Sequence, residues 1–202
     1  VQTCALPISV LYAPGLNGAF NFDDDGNITT NPLLKVSSLE IREWAQAAGS
    51  GFAGPLGRPL AMLSFALDHY LSAGFDPYAM KLTNVLIHLG CGVAMYLLSH
   101  LLVARSIASG LVHTQAPDAV RTWAPVAVSF LWMAHPANLT PVLYVVQRMS
   151  SLSALFCLLG MLAYVAGRER LLTARPRAFR WIASAYLLRS EEHTSELQSQ
   201  FR

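Results

Sequence analysis

Three consecutive carboxylates, Asp23, Asp24 and Asp25, follow a short apolar stretch and precede several hydrophobic stretches of bilayer length. Acids crowded together where a chain leaves a membrane repel one another, so they usually hold a metal ion, a proton or a sugar hydroxyl. The alternative is a solvated tight turn, because Asp25-Gly26-Asn27 is a typical turn sequence. The acidic triplet makes a membrane enzyme the first hypothesis.

The composition is that of a protein that resides in lipid. Hydrophobic residues make up 53% of the 202 residues and charged residues 13%, against about 25% charged residues in an average soluble domain. Cys91 and Cys157 lie within apolar segments without the spacing of a metal site or of a disulfide framework. The formal net charge is +2, and we expect no nucleic-acid partner.

The two ends of the chain have an unusual origin. Residues 1–8 (VQTCALPI) and 189–199 (RSEEHTSELQS) are translations of the two strands of one common sequencing-library adapter. We therefore expect residues 1–9 and 189–202 to be adapter-derived and exclude them from fold reasoning. Residues 10–188 are expected to be an internal fragment of a longer protein.

Hydropathy organises residues 10–188 into spans and loops. The spans are expected at about 82–103, 119–136 and 149–167, with the start of another at 179–188. Residues 21–81 are expected to be a long loop, in which residues 59–71 form a helix too short to cross a bilayer. The sequence therefore predicts an all-α, polytopic helical membrane protein.

Basic residues predict the orientation of these spans. Residues 168–180 contain five Arg and one Glu, and residues 104–122 contain two Arg and one Asp. Loops rich in Arg and Lys usually remain in the cytoplasm. Parity of the spans then places residues 21–81 and 135–148 together on the extracytoplasmic side, although the two segments are far apart in sequence.

Four further side chains on the expected extracytoplasmic side could bind a substrate: Arg58, His135, Gln147 and Arg148. Arg58 and Arg148 are candidates for a phosphate, because a planar guanidinium can contact two phosphate oxygens at once. The alternative for either arginine is anchoring at the membrane interface. For His135, which precedes Pro136, the alternative is a polar residue that ends a helix.

Four segments resemble a known family when they are taken in order: PGLNGAFNFDDDGNI, GRPLAMLSFALDHYL, DPYAMKLTNVLIHLG and HPANLTPVLYVVQRMSSLSALF. They resemble the bacterial relatives of the transmembrane and tetratricopeptide-repeat O-mannosyltransferases, within the GT-C glycosyltransferase superfamily. The resemblance implies the N-terminal part of a GT-C-type transmembrane domain, truncated at both ends. It also implies a C-terminal repeat domain and a location in a bacterial inner membrane.

The resemblance further implies an activity: transfer of a sugar from a polyprenyl-phosphate donor to an acceptor hydroxyl of a protein or glycan. The diacidic motif of the family falls on Asp23 and Asp24, which would act as base or as ligands of a divalent metal. Asp25 is an additional acid, and Thr140 stands where many relatives have Glu.

Chemistry alone supports similar roles, because glycosyl transfer from a lipid phosphate needs a base near the acceptor and positive charge or a metal near the phosphate. On this hypothesis, replacing Asp23 or Asp24 by Asn lowers turnover and leaves stability nearly unchanged. The alternative is a non-catalytic membrane scaffold or lipid-handling module that presents an extracytoplasmic repeat domain. In that case the charged loop residues can be neutralised without loss of function.

Overall fold

The computed structural model describes residues 8–52, 57–110, 118–172, 180 and 183–184. All regular secondary structure in these parts is helical, which confirms the predicted all-α class. Most of the span expected at 179–188 and nearly all of the two expected adapter segments lie outside the described residues. Ile8, which belongs to the first of those segments, is buried beside Tyr12.

Six α-helices, here numbered in chain order, follow a short helical segment at residues 8–12 in the described chain. They are α1 (Ile41–Ala48), α2 (Pro59–Ser72), α3 (Pro77–Ala108), α4 (Asp118–Met133), α5 (Leu139–Leu143) and α6 (Arg148–Leu172). Short 3-10 turns link several of them, and Asp25–Thr29 forms a single π-helical turn. The helices α3, α4 and α6 pack side by side as the core of a bundle.

The helix α3 is longer than the predicted span. Its 32 residues begin after Asp76, whose side chain accepts the backbone N–H groups of Tyr78 and Ala79, with Pro77 in the first turn. This cap starts the helix one turn before the charge-free stretch. Lys81 is charged, yet this apolar helix can include it because its side chain is buried against other protein groups.

The packing of α3 on α4 depends on a small residue. A Cβ atom at Gly92 would collide with the side chain of Met133. Ser129 donates a hydrogen bond of 2.7 Å to the Gly92 carbonyl oxygen. Small residues and hydroxyl groups at such contacts let helix backbones approach closely in lipid, where no hydrophobic force drives helices together.

The span predicted at 119–136 is bent. The helix α4 ends at Met133, and His135 caps the next turn by accepting the Ala137 N–H at Nδ1. The segment Pro136–Leu143 continues at 52° to α4. Among the described residues, two helical segments, Pro77–Ala108 and Val145–Arg168, are long and apolar enough to cross a membrane, and the bent pair would make a third.

Residues 21–81, expected to be a loop, contain α1, α2 and the first residues of α3. The helix at 59–71 is confirmed and extends to Ser72. Both α1 and α2 bury apolar side chains, including Ala47 and Phe65, in one cluster with Val145 and Met149. The expected loop is therefore a packed helical cap on the end of the bundle where α5 meets α6.

A buried cation joins this cap to the bundle. The Arg148 side chain is fully buried, and one guanidinium nitrogen lies 2.6 Å from Asp68 Oδ2 on α2. Arg148 also donates to Asn84 Oδ1 and to the Met80 carbonyl oxygen, both on α3 and both at 2.7 Å. Its guanidinium carbon lies 4.6 Å from the centre of the Phe65 ring. One side chain thus connects α2, α3 and α6.

We predict that Arg148→Met destabilises the fold by roughly 3–5 kcal/mol, because it leaves the Asp68 carboxylate buried without its partner. Adding Asp68→Leu should recover part of this loss by removing the unpaired charge. The measurement is denaturant-induced unfolding in detergent, with Arg121→Met, at an exposed arginine of α4, as control. Equal stability of Arg148→Met and Arg121→Met would contradict the prediction.

Candidate active site

The acidic segment 21–25 lies against residues 144–146, the connection between α5 and α6. Two hydrogen bonds join the segments, one between residues 121 apart in sequence and the other between residues 122 apart. The predicted convergence of the acidic loop with the 135–148 turn at one end of the bundle is therefore present in the structure.

Asp24 is buried and points into the protein. Its Oδ1 accepts the Val146 N–H at 2.7 Å, and its Oδ2 accepts the Asn21 N–H at 2.9 Å. Burial raises the pKa of the Asp24 carboxyl, while the two N–H donors and the Lys81 ammonium act in the opposite direction. Because both oxygens face backbone donors, Asp24 fixes the loop against the bundle.

Asp23 differs from its neighbour because its side chain is exposed. Its backbone N–H donates to the Tyr144 hydroxyl at 3.0 Å, and its carbonyl oxygen accepts from the Asn27 side chain at 2.8 Å. The backbone of Asp23 is thus held on both sides while its carboxylate remains open to solvent. Of the two motif acids, Asp23 is the one that a substrate can reach.

Asp25 has a local structural contact. It starts the π-helical turn, and its carboxylate accepts the Thr29 hydroxyl at 2.9 Å. Its backbone carbonyl oxygen accepts the Thr30 hydroxyl at 2.7 Å. Asp25 therefore stabilises the turn that follows the acidic pair.

Lys81 is a contributor to the site that the sequence reasoning missed. Its side-chain nitrogen donates to the carbonyl oxygens of Gly18 and Ala19 at 2.7 and 3.3 Å and lies 3.4 Å from that of Gly15. The ammonium thereby holds the turn that leads into the acidic segment. The available signal was its position, because a single cation directly before a charge-free span must either reach the interface or find partners.

The predicted substrate-binding residues fall into different environments. Arg148 is enclosed and bonded to protein groups, as described above, so a phosphate could reach it only by displacing Asp68. The Gln147 side chain accepts the Ser150 hydroxyl at 3.0 Å. His135 is exposed at the bend before Pro136, where it caps the following turn, as its alternative interpretation anticipated.

Arg58 lines a cleft between α2 and α6. The cleft is narrow, with room for about one water molecule, and is lined, besides Arg58, by Leu60, Ala61, Met149, Leu152, Ser153 and Phe156. The Arg58 Nε is buried and, among the described residues, has no hydrogen-bond partner. Burial lowers the pKa of this guanidinium, which ordinarily titrates so high that the group stays charged. A cation beside largely apolar side chains suits contact with the charged group of an amphipathic anion.

Few of the described side chains are placed to bind a metal ion. Within the part of the chain that the structure describes, no group of three or more His, Cys, Asp or Glu side chains is placed to hold a metal. The oxygens of Asp24 already accept backbone N–H groups. Magnesium, however, often binds through one or two carboxylates together with substrate phosphates and water, so Asp23 fits as a protein ligand of such an ion.

Comparisons with known proteins give one consistent result. The chain is 30% identical over 162 residues to the human protein O-mannosyl-transferase TMTC4, an alignment that covers 77% of this chain. It is 31% identical over 190 residues to the fruit-fly protein O-mannosyl-transferase Tmtc2, covering 89% of this chain. The corresponding mouse TMTC4 is 31% identical over 160 residues.

These alignments cover only a part of each relative, 21% of the human protein and 18% of the fly protein, so the chain spans about a fifth of the length of the curated relatives that it matches. No family model matches the chain. No solved structure is significantly similar to it. By its alignment to relatives from vertebrates and insects, this helical membrane protein is related to the protein O-mannosyl-transferases.

Proposed function

We propose that the full-length parent of this chain transfers a sugar from a polyprenyl-phosphate carrier to a hydroxyl group of an acceptor protein. The transfer takes place on the extracytoplasmic face of a membrane. The observation that carries the proposal is the acidic pair: Asp24 is anchored in the bundle, and beside it Asp23 presents an open carboxylate. The relationship to proteins named O-mannosyl-transferases supports this choice of chemistry. This chain alone, which spans about a fifth of those relatives, is proposed to be inactive.

Asp23 is proposed as the general base. It would take the proton of the acceptor hydroxyl while the acceptor oxygen bonds to the anomeric carbon of the sugar and the carbon–phosphate oxygen bond breaks. The proton then resides on the Asp23 carboxyl, and the lipid phosphate leaves with the bonding electrons. Asp24 fixes the position of this base, because its own carboxylate is buried and faces away from solvent.

The departing phosphate requires positive charge near it. Arg58 is proposed as the cation for this purpose, because its guanidinium lines a cleft whose other walls are largely apolar. A polyprenyl chain could pack against those apolar side chains. A divalent ion, if bound at Asp23, would supply neutralisation of the phosphate charge. His135 and Gln147 lie at the same end of the bundle and remain proposed substrate contacts, and Arg148 would act by holding the site together.

The wider architecture is proposed on the sequence resemblance. We assign the chain to a GT-C-type transmembrane domain in a bacterial inner membrane, followed in the parent by a tetratricopeptide-repeat domain. The proposed orientation rests on the five-Arg segment at 168–180. The acidic site then lies outside the cytoplasm, where a lipid-linked donor and an acceptor protein would meet.

A scaffold without catalytic activity is the second candidate, and the burial of Asp24 favours it. A carboxylate that accepts two backbone N–H groups could be present only to lock the helical cap onto the bundle. On that hypothesis the open carboxylate of Asp23 contributes nothing to function. The two candidates therefore differ in what they predict for Asp23.

We predict that Asp23→Asn in the full-length parent lowers sugar transfer by about 10²-fold or more, because removing a positioned base costs ~10²- to 10⁴-fold in rate. Its thermal stability should not change, since the side chain is exposed. The measurement is transfer of radiolabelled sugar from polyprenyl-phosphate carriers to acceptor protein in membranes, at matched expression. Undiminished transfer by Asp23→Asn would support the scaffold instead.

Asp25→Asn and Asp24→Asn are the matched controls for this measurement. Asp25→Asn removes a neighbouring charge and should retain most of the transfer. Asp24→Asn should lose both transfer and stability, because an amide cannot accept both the Asn21 and the Val146 N–H groups. The burial of Asp24 thus revises the expectation from sequence that its neutralisation leaves stability nearly unchanged.

We predict that Arg58→Gln raises the KM for the polyprenyl-phosphate donor by about tenfold, the loss expected for one charge-assisted hydrogen bond. The KM for the acceptor should change little. Initial rates at varied donor and acceptor concentrations distinguish the two effects. Arg42→Gln, at an exposed arginine of α1, serves as control, and equal donor KM values in both variants would contradict a phosphate contact at Arg58.

We predict that single cysteines replacing Gly26 or Ala137, in a background without Cys91 and Cys157, react with an impermeant thiol reagent from outside intact cells. A Cβ atom at Gly26 meets no neighbour, and Ala137 is exposed. The helix α3, 32 residues and about 50 Å long, ends at Ser109, so a cysteine replacing Ser109 should react only after lysis. Labelling of Gly26→Cys and Ser109→Cys from the same side would overturn the topology.

A further inference from the structure

Tyr144 is a neighbour of Asp23 that sequence reasoning did not single out. Its hydroxyl oxygen accepts the backbone N–H of Asp23 at 3.0 Å. One phenol group therefore holds the backbone of the proposed base, while the carboxylate of that base stays open to solvent.

The position of Tyr144 is fixed by the buried network at the base of α6. Its carbonyl oxygen accepts the Asn84 side-chain N–H at 3.3 Å, and Asn84 Oδ1 accepts from Arg148 at 2.7 Å. Two residues further along the chain, the Val146 N–H binds Asp24. Residues 144–146 thus form a short edge that holds Asp23 at one end and Asp24 at the other.

We propose that Tyr144 is a positioning residue for Asp23: its hydroxyl holds the Asp23 backbone so that the carboxylate meets the acceptor hydroxyl. The inference rests on the proposed function, since it assumes that Asp23 is the base. The physical reason is that the Asp23 side chain is exposed, so the position of its carboxylate depends on how firmly its backbone is held. A base must lie within hydrogen-bond reach of the proton that it removes.

The test is Tyr144→Phe in the full-length parent, assayed for sugar transfer and for thermal unfolding. The variant keeps the ring, which packs against the apolar cluster around Val145, and removes only the hydroxyl. We expect kcat to fall by about five- to tenfold, the effect of losing one hydrogen bond between uncharged groups, while KM and the unfolding midpoint stay the same. In the Asp23→Asn background, Tyr144→Phe should have no further effect on kcat, because the group that it positions is gone.

Tyr70→Phe is the control, because Tyr70 packs against the same cluster and its ring meets that of Trp44. If Asp23→Asn abolishes transfer but Tyr144→Phe behaves like Tyr70→Phe, the inference about Tyr144 is wrong and the proposed function stands. If Tyr144→Phe lowers the unfolding midpoint and its effect on kcat adds to that of Asp23→Asn, its contribution is structural only, which also overturns the inference. Full transfer by Asp23→Asn would remove the proposed function together with the inference that rests on it.

Discussion

The burial of one guanidinium, that of Arg148, is the constraint on which the rest of the described structure depends. A cation removed from water is tolerated only when its donors are paired. Asp68 from α2, and Asn84 with the Met80 carbonyl oxygen from α3, supply that pairing. The helical cap must therefore lie against the bundle in one register. The edge at residues 144–146 ends two residues before Arg148 and contacts the same Asn84, so it is placed by the same pairing.

This placement separates two adjacent residues of identical chemistry. Asp24 is directed into the protein, where backbone N–H groups compensate for the burial of its carboxylate, while Asp23 faces solvent with its backbone held by Tyr144. Two carboxylates in different environments can serve different purposes, one structural and one chemical. The rigid attachment of Asp24 to the bundle therefore determines where the carboxylate of Asp23 can act.

The Arg58 cleft adds a second element at the same cap. It opens between α2 and α6, the helices that the Asp68–Arg148 pair joins. A change in that pair would therefore move the walls of the cleft as well as the acidic edge. The cleft and the acidic edge thus both depend on the Asp68–Arg148 pair. Apolar residues often stabilise a protein as much as a buried ion pair does. The physical reason for an ion pair here is that it specifies one arrangement of three helices.

The sequence by itself determined the helical class, the apolar segments long enough for a membrane and the meeting of the acidic segment with the 135–148 turn at one end of the bundle. Hydropathy and capping signals such as Asp76-Pro77 are local, so they can be read without knowing the fold. Only the tertiary structure decided that Asp24 is buried, that Arg148 is enclosed by protein and that Lys81 and Tyr144 hold the acidic segment. The partners in those contacts are about 60 to 122 residues apart, and no periodic pattern specifies which distant backbone group will meet a given side chain. The helices follow from local preferences, whereas the environment of each charge depends on how the helices pack.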